Sequence, residues 1–421
     1  MCRVRFIRWR CARRAGSATL GSAGPRLLLA AFGLFGVGCA VNDIDPTDRD
    51  PAVAIIGLED AVGPPPARTD LFGPAPELPG FNDMLTLSEE QQRRFLVYFK
   101  SPRNADIAPH RRLVDYLEQR LAPVRYHDET LDAAEALRRG EGNCMSLTLV
   151  TAALSALAGV PSEWRLSRSR PVYSSDGTVI YSSNHIQTHL RDRSLRATPG
   201  RISLEPKVLV VDFFTDGRPV SGERVDPQQL AGLVFQNLAA EALARGELQR
   251  AYWLVQGGLE HDPRNAQLYN VLGVLHQRLG ASDRAEDFYR YALDRFGDEL
   301  IILRNLYYLL LAGERTQEAA RIEQRIAGLP DPDPYPLLQL GDEALLAGDA
   351  RRALRLYGEA RRKAPHLHEV YGRIADVQLV LANPRAVRAA LEQALATALR
   401  ERDREIYRRR LDTVEGVRVD P

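Results

Sequence analysis

Apolar and polar positions change their period along this chain, and each change marks a new part. The run Ser88-Glu89-Glu90-Gln91-Gln92-Arg93-Arg94-Phe95-Leu96-Val97-Tyr98-Phe99 opens with a capping hydroxyl and an acidic first turn, which predicts a helix. A second helix fits residues 108–121. A third fits 130–139, capped by Thr130 and ended by Gly140. Gly142-Asn143 then leads into residues 144–158, which are apolar nearly all round, the pattern of a central buried helix, and Gly159 stops it. After Pro161 the pattern changes to strands over 164–167, 172–174 and 178–181, around an Asp176-Gly177 hairpin signal. Residues 185–190 and 208–214 complete an antiparallel group. Residues 80–225 therefore read as α+β, helices first and strands after. From Gly232 helical spacing returns, now with an internal repeat whose period is the step from Gly246 to Gly280.

Residues 1–39 differ from all that follow. Arg3, Arg5, Arg8, Arg10, Arg13 and Arg14 form a basic start, Leu27 to Phe35 an apolar stretch, and small residues reach Gly38-Cys39. This predicts an export signal whose apolar part is too short to span a membrane comfortably. The ending Gly36-Val37-Gly38-Cys39 resembles a bacterial lipoprotein signal. That resemblance implies a lipid on Cys39, a membrane anchor there and a periplasm-facing place in the cell envelope. Ala40, directly after the Cys, fits onward transport to an outer membrane. Residues 40–79 are rich in Pro, Asp and Gly, with Pro64-Pro65-Pro66 among them, and read as a flexible tether.

In the repeating half, Gly246, Gly280 and Gly348 fall in register and Gly313 stands one residue early. Ala251, Ala285, Ala319 and Ala353 share a position that Val387 takes in a fifth copy; Tyr289 matches Tyr357 and Pro263 matches Pro365. Self-similarity of this kind resembles the tetratricopeptide repeat. It implies an all-α solenoid over residues 232–402, about five repeats stacked into one superhelix, with 403–421 as a C-terminal helix or tail. Such arrays hold a protein or peptide ligand. The alternative use is packing against the chain's own N-terminal domain, and both can hold at once.

Composition narrows the function. With 421 residues, 45% of them apolar and 26% charged, the chain is ordinary for globular domains. A net charge of +1 argues against a nucleic-acid partner. No metal cluster, phosphate loop or dinucleotide fingerprint stands out in the sequence, so no cofactor is expected. His366 and His368 fall at a repeat junction with nothing beside them to suggest a metal. Of the four cysteines, Cys2 and Cys11 lie in the export segment and Cys39 would carry lipid, which leaves Cys144 alone in the mature chain.

The stretch from Thr130 through Gly142-Asn143-Cys144 to Gly159-Val160-Pro161 resembles the core of the transglutaminase-like superfamily, a papain-like arrangement. There a Gly-x-Cys turn starts a long apolar helix, a strand beginning with His follows, and the next carries Asp. The resemblance covers roughly a third of the chain and assigns catalytic positions to Cys144, His185 and Asp212. Chemistry supplies its own reasons for those residue types. A Cys at a helix N-terminus sees the positive end of the helix dipole, which favours thiolate. An imidazole can hold the proton and return it to a leaving amine, and a carboxylate can fix its tautomer. Backbone N–H groups at the start of the helix could form an oxyanion hole. His189, four residues on along the same strand face, is the rival to His185, and Asp216 beside Gly217 reads as a turn residue.

Two functions of different class follow. One is a lipid-anchored enzyme that attacks amide carbonyls through a Cys144 thioester, resolved by water (a peptidase or amidase) or by an amine (an acyltransferase). The other is a non-catalytic envelope adaptor that binds proteins through its repeats. A weaker third is an assembly scaffold acting on peptidoglycan stem peptides.

Overall fold

The structure is a computed structural model that describes residues 63–122, 124–175, 180–192, 208–213, 222–329, 331 and 333–416, with side chains at 167–185 and 415–416 left aside. The export signal, Cys39, residues 40–62, the Asp176-Gly177 hairpin and Asp216 lie outside the described residues.

Five helices come first: α1 Phe81–Leu85, α2 Glu89–Phe99, α3 Pro109–Leu121, α4 Ala133–Arg139 and α5 Cys144–Ala158. Ser88 caps α2 in a reciprocal box: its Oγ accepts from the Gln91 N–H at 3.3 Å, and Gln91 Oε1 accepts from the Ser88 N–H at 2.9 Å. Helix α4 starts later than Thr130 would place it, because the capping acceptor is Asp132, 2.7 Å from the Glu135 N–H. Gly140 (φ 68°) and Gly159 (φ 65°) end α4 and α5 in the left-handed region that glycine tolerates. Helix α5 is buried on nearly every side, with Leu147, Leu149 and Leu154 fully enclosed beside Phe95, Leu113 and Leu117 of α2 and α3.

The sheet covers the remaining flank of α5. Strands β1 Ser162–Ser175, β2 Ile180–Arg191, β3 Val208–Val211 and β4 Glu223–Val225 run antiparallel in the order β3-β2-β1-β4. The separate short strands expected within 164–190 are two long ones, with a register shift between Ser167 and Val172. Leu166, Ile186, Leu190, Val211 and Val225 pack into one apolar core with α5.

The C-terminal region is a tetratricopeptide-type array of five helix pairs. They are α6 Pro227–Ala244 with α7 Leu248–His261, α8 Ala266–Arg278 with α9 Ser282–Phe296, and α10 Leu300–Ala312 with α11 Thr316–Ala327. The last two are α12 Tyr335–Leu346 with α13 Ala350–Lys363 and α14 His368–Val380 with α15 Pro384–Thr397, and α16 Glu401–Gly416 closes the array. Its backbone is more regular than its sequence. Left-handed residues join the helices of each pair at Gly246 (φ 75°), Gly280 (φ 76°), Glu314 (φ 58°), Gly348 (φ 81°) and Ala382 (φ 52°), evenly spaced along the chain. The early Gly313 is thus not the equivalent turn residue, since its φ is −87°. In every pair but the third, a small residue on the first helix is set against a large one on the second. A Cβ added to Gly273 would stand 2.2 Å from the Tyr289 ring, and one on Gly341 equally close to Tyr357. The first and fifth pairs use Ala239 with Val255 and Ala375 with Leu391, all buried.

The array does not share one continuous core. One apolar cluster serves the first three pairs and a second serves the last two with α16. At the seam, position 323 is an exposed Glu where the second and fourth pairs carry Tyr. Charged contacts span the seam instead: Arg304 meets Asp331 at 3.0 Å and Asp333 at 3.2 Å, and Lys363 lies 3.7 Å from Asp331.

The described residues from Pro65 onward belong to one compact unit. The end of the expected tether is part of it. Phe72 is buried, its ring parallel to Tyr252 at 4.1 Å and edge-on to His276 at 5.3 Å. Trp253 Nε1 donates to Gly73 O at 3.1 Å and Gln249 Nε2 to Pro74 O at 2.7 Å. Leu71, Phe72 and Leu78 are the apolar anchors that turn a Pro-rich stretch into a docked strap. A pattern of sparse anchors carries no helix or strand period, which is why the segment reads as a tether.

Glu314 and Ala382 hold a conformation that costs a residue with a Cβ about 1–2 kcal/mol. Glu314→Gly and Ala382→Gly are each expected to raise the unfolding free energy by about 0.5–1 kcal/mol, after the entropy glycine adds to the unfolded chain. Urea unfolding checks this, with Gly280→Ala expected to move in the opposite direction.

Candidate functional site

The start of α5 is set by a chain of buried hydrogen bonds. Gly142 approaches so closely that a Cβ there would stand 2.7 Å from that of Ser146. Its N–H donates to Arg125 O at 3.1 Å, and its carbonyl accepts from the His127 N–H at 3.3 Å, which ties the turn to the preceding loop. Asn143 Oδ1 caps the helix by accepting from the Ser146 N–H (2.9 Å) and Oγ (3.0 Å), and Ser146 Oγ accepts from the Leu131 N–H at 2.8 Å. The other end of the Asn143 amide donates to Thr130 Oγ1 at 3.0 Å. Thr130 in turn donates from Oγ1 (2.7 Å) and N (2.9 Å) to Glu241 Oε1 on α6. Burial pushes the Glu241 carboxyl up to about 7, against the Thr130 hydrogen bonds that pull it down.

Cys144 is the first residue of α5, with 8% of its surface exposed. Hydrogen bonds from the backbone at Met145 and Ile186 favour its thiolate. Burial outweighs them and, with Asp212 nearby, pushes the thiol up to about 11. The backbone donors at the helix start thus favour the thiolate, as its position suggests, and lose to desolvation.

The Ile186 contact places residues 185 and 186 of β2 beside the sulfur. His185 pairs across β1 with Ser167, and its side chain lies outside the described set. Asp212 follows β3 directly, 7% exposed, with Oδ2 accepting from Gln187 Nε2 at 2.6 Å. Val211 pairs with Thr188, so Asp212 comes level with Gln187, a short step along β2 from His185. Cys144, the 185–187 stretch and Asp212 thus share one neighbourhood. His189 pairs with Glu163, and its buried Nε2 has no hydrogen-bond partner among the described residues. Burial first, then Arg165, lowers its pKa. His368 is part of the array, with Nδ1 2.9 Å from the Tyr407 hydroxyl and Nε2 3.6 Å from Asp403.

Three residues of this site are not legible as such in the sequence: Tyr126, Thr130 as a bridge, and Glu241. Tyr126 sits half-buried in the loop before α4. Burial and then the neighbouring Cys144 raise its phenol above the usual range. Glu241 does carry a signal, being the one acidic residue of α6, with Leu238 and Val234 on its own face.

A second candidate lies on the array. Tyr308 on α10 (63% exposed), Leu346 on α12 (90%) and Leu379 and Val380 on α14 (both 65%) are uncovered apolar side chains. Leu311, the half-buried Leu345 and Leu379 are equivalent positions, as are Leu346 and Val380, whereas the positions equivalent to Tyr308 are Asp342 and Asp376. Apart from these residues, a cleft of about 570 Å³ opens between the sheet edge and the repeats, lined by Arg224, Gln236, Asn265, Arg295 and Ile301 among others.

No protein-family model matches the chain, and no curated protein sequence matches it. Among solved structures, the chain is similar to pilF of Pseudomonas aeruginosa at 20% identity and a TM-score of 0.28, over 46% of this chain and 88% of that one. It is similar to YrrB, described as a TPR protein with an unusual peptide-binding site, at 18% identity and a TM-score of 0.23, over 42% and 92% of the two chains. A third likeness is to the APC/C hetero-tetramer Cut9-Hcn1, at 17% identity and a TM-score of 0.27, over 45% and 37%. Likenesses at this level carry no argument about function, and the repeat assignment rests on the even backbone period and the small–large pairs.

Alkylation of Cys144 in the folded chain is expected to be slow at pH 8 and still rising beyond pH 9, measured beside the urea-unfolded chain; a plateau by pH 8.5 would contradict a buried thiol. Glu241 binds its proton more tightly folded (about 7) than unfolded (4.5). Its contribution to stability is therefore greatest below pH 4.5 and falls as pH rises toward 7, by about 3 kcal/mol in all. Glu241→Gln, which keeps an acceptor for Thr130, is expected to flatten that slope in urea titrations at pH 5 and 8.

Proposed function

We propose that this protein is an adaptor of the cell envelope that docks a partner protein on the first-helix face of its repeats. The observation that carries the reading is the set of uncovered apolar side chains on three successive first helices, Tyr308 and Leu311 on α10, Leu346 on α12 and Leu379 and Val380 on α14. Burying one large apolar side chain contributes about 1.5–3 kcal/mol, so a few of them supply a meaningful share of what association costs. The fitting occupant is a protein segment that presents apolar side chains at the spacing of successive repeats. The basic and apolar start of the sequence, with Cys39 at its end, supports export and a lipid anchor, which would hold such an adaptor at a membrane.

A second reading rests on the neighbourhood of Cys144, the 185–187 stretch and Asp212. In it the Cys144 thiol gives its proton to His185, the sulfur attacks an amide carbonyl, and the proton returns to the departing amine. Water or another amine then resolves the thioester. The raised thiol pKa weighs against this reading in the closed state, so the adaptor reading comes first.

Cross-linked pull-downs from envelope extracts separate the two. The captured proteins are expected to be the same with Cys144→Ala and to be lost with Tyr308→Asp combined with Leu379→Asp. Capture that survives the double substitution would sink the docking face. Loss of phenotype with Cys144→Ala alone, the fold being retained, would favour the enzyme.

A further inference from the structure

The loop from Tyr126 to Thr130 lies between the cysteine helix and the array, and both halves of the array hold it. On the first-half side, Glu241 accepts from Thr130, and Arg245 reaches Glu129 at 3.1 Å. On the second-half side, Arg400, which follows α15, donates to Asp128 from Nε at 2.8 Å and sits 2.7 Å away through its other nitrogen. The loop's inner edge is hydrogen-bonded to the Gly140–Gly142 turn that leads to Cys144, and Asn143 reaches Thr130. Tyr126 stands beside the thiol. The two halves have separate apolar cores, and the ion pairs of Arg304 and Lys363 with Asp331 and Asp333 span the seam between them.

We propose that the Tyr126–Thr130 loop is a coupling element: the two half-arrays clamp it over Cys144, so a change of angle at the seam between α11 and α12 changes access to the thiol. The physical basis is a difference in stiffness. Each half is a packed core that moves as a body, whereas across the seam the contacts are half-buried charged pairs and no shared apolar cluster. A rotation there separates Arg400 from Arg245 and Glu241, and the loop cannot follow both. It must release one contact or pull on the Gly142 turn. A partner seated across α10, α12 and α14 would bias the angle; that last link rests on the docking reading, while the clamp itself does not.

The test needs no partner. The full chain is treated with iodoacetamide at pH 8, and modification of Cys144 is followed on its own peptide by mass spectrometry. Arg400→Ala is expected to raise the rate at least about tenfold, and Asp331→Asn with Asp333→Asn, remote from the thiol in sequence and on the seam, at least severalfold. Arg284→Ala, which removes an ion pair within α9, away from the seam, controls for general loosening and is expected to leave the rate unchanged. Circular dichroism and urea unfolding confirm that each variant is folded. If Arg400→Ala exposes the thiol while the seam pair does not, the loop is a local cover and the coupling is overturned. An unchanged rate in both also overturns it, as does an equal rise in Arg284→Ala.

Discussion

The hydrogen bonds from Thr130 to the half-buried carboxyl group of Glu241 join the two parts of this protein, and much of the local geometry depends on them. A carboxylate removed from water is costly unless donors replace the lost hydration. Thr130 supplies two, and in doing so it fixes its own hydroxyl so that the oxygen faces Asn143. The Asn143 amide then has one orientation that satisfies both ends: nitrogen toward Thr130, oxygen toward the first turn of α5. The cap of the cysteine helix is thus specified partly by a residue of the array. An α+β domain with this sequence but without α6 would lose the group that orders Thr130.

The array shows how a repeat can be strict in backbone and loose in sequence. What recurs in every pair is a left-handed turn, and in four of the five a small residue set against a large one, and several residue combinations meet each demand. Glycine is the low-cost solution at the turn, but Glu314 and Ala382 adopt it under the packing of their neighbours. Gly273 with Tyr289 and Ala375 with Leu391 fill the same space in different proportions. The third pair meets neither pattern at position 323, and the apolar core breaks after it.

Legibility in the sequence follows from whether a feature is local. Ser88, Gly140, Asn143 and Gly159 act within one turn of themselves, so the helices of the first domain are readable to within a few residues. The all-round apolar 144–158 segment announces its own burial. Thr130 misleads because a hydroxyl before a helix has two uses, and a long-range acceptor on α6 takes it while Asp132 does the capping. Strand β4 is too short for any periodic signal. The strap anchored by Phe72 binds through isolated contacts that only the partner surface of Tyr252 and His276 makes visible. The spacing of Cys144, His185 and Asp212 points to one neighbourhood, and backbone register brings those positions together. What spacing does not convey is the polarity of that neighbourhood.

Polarity decides what Cys144 can do. A helix N-terminus stabilises a thiolate by about 0.3–1 kcal/mol near a surface and about 2 kcal/mol at best. Displacement of the thiol from 9.0 to about 11 corresponds to roughly 3 kcal/mol the other way, net of the hydrogen bonds from Met145 and Ile186. The dipole and those two donors are fixed by the backbone and stay in place whatever covers the site. Desolvation is the variable contribution, because it depends on what stands over the sulfur. A thiol held in this way gains reactivity when its cover moves and water or a polar substrate enters, with no change in α5 itself. That shifts the question of reactivity from the residues around Cys144 to the loop beside it, whose position is shared between the two halves of the array.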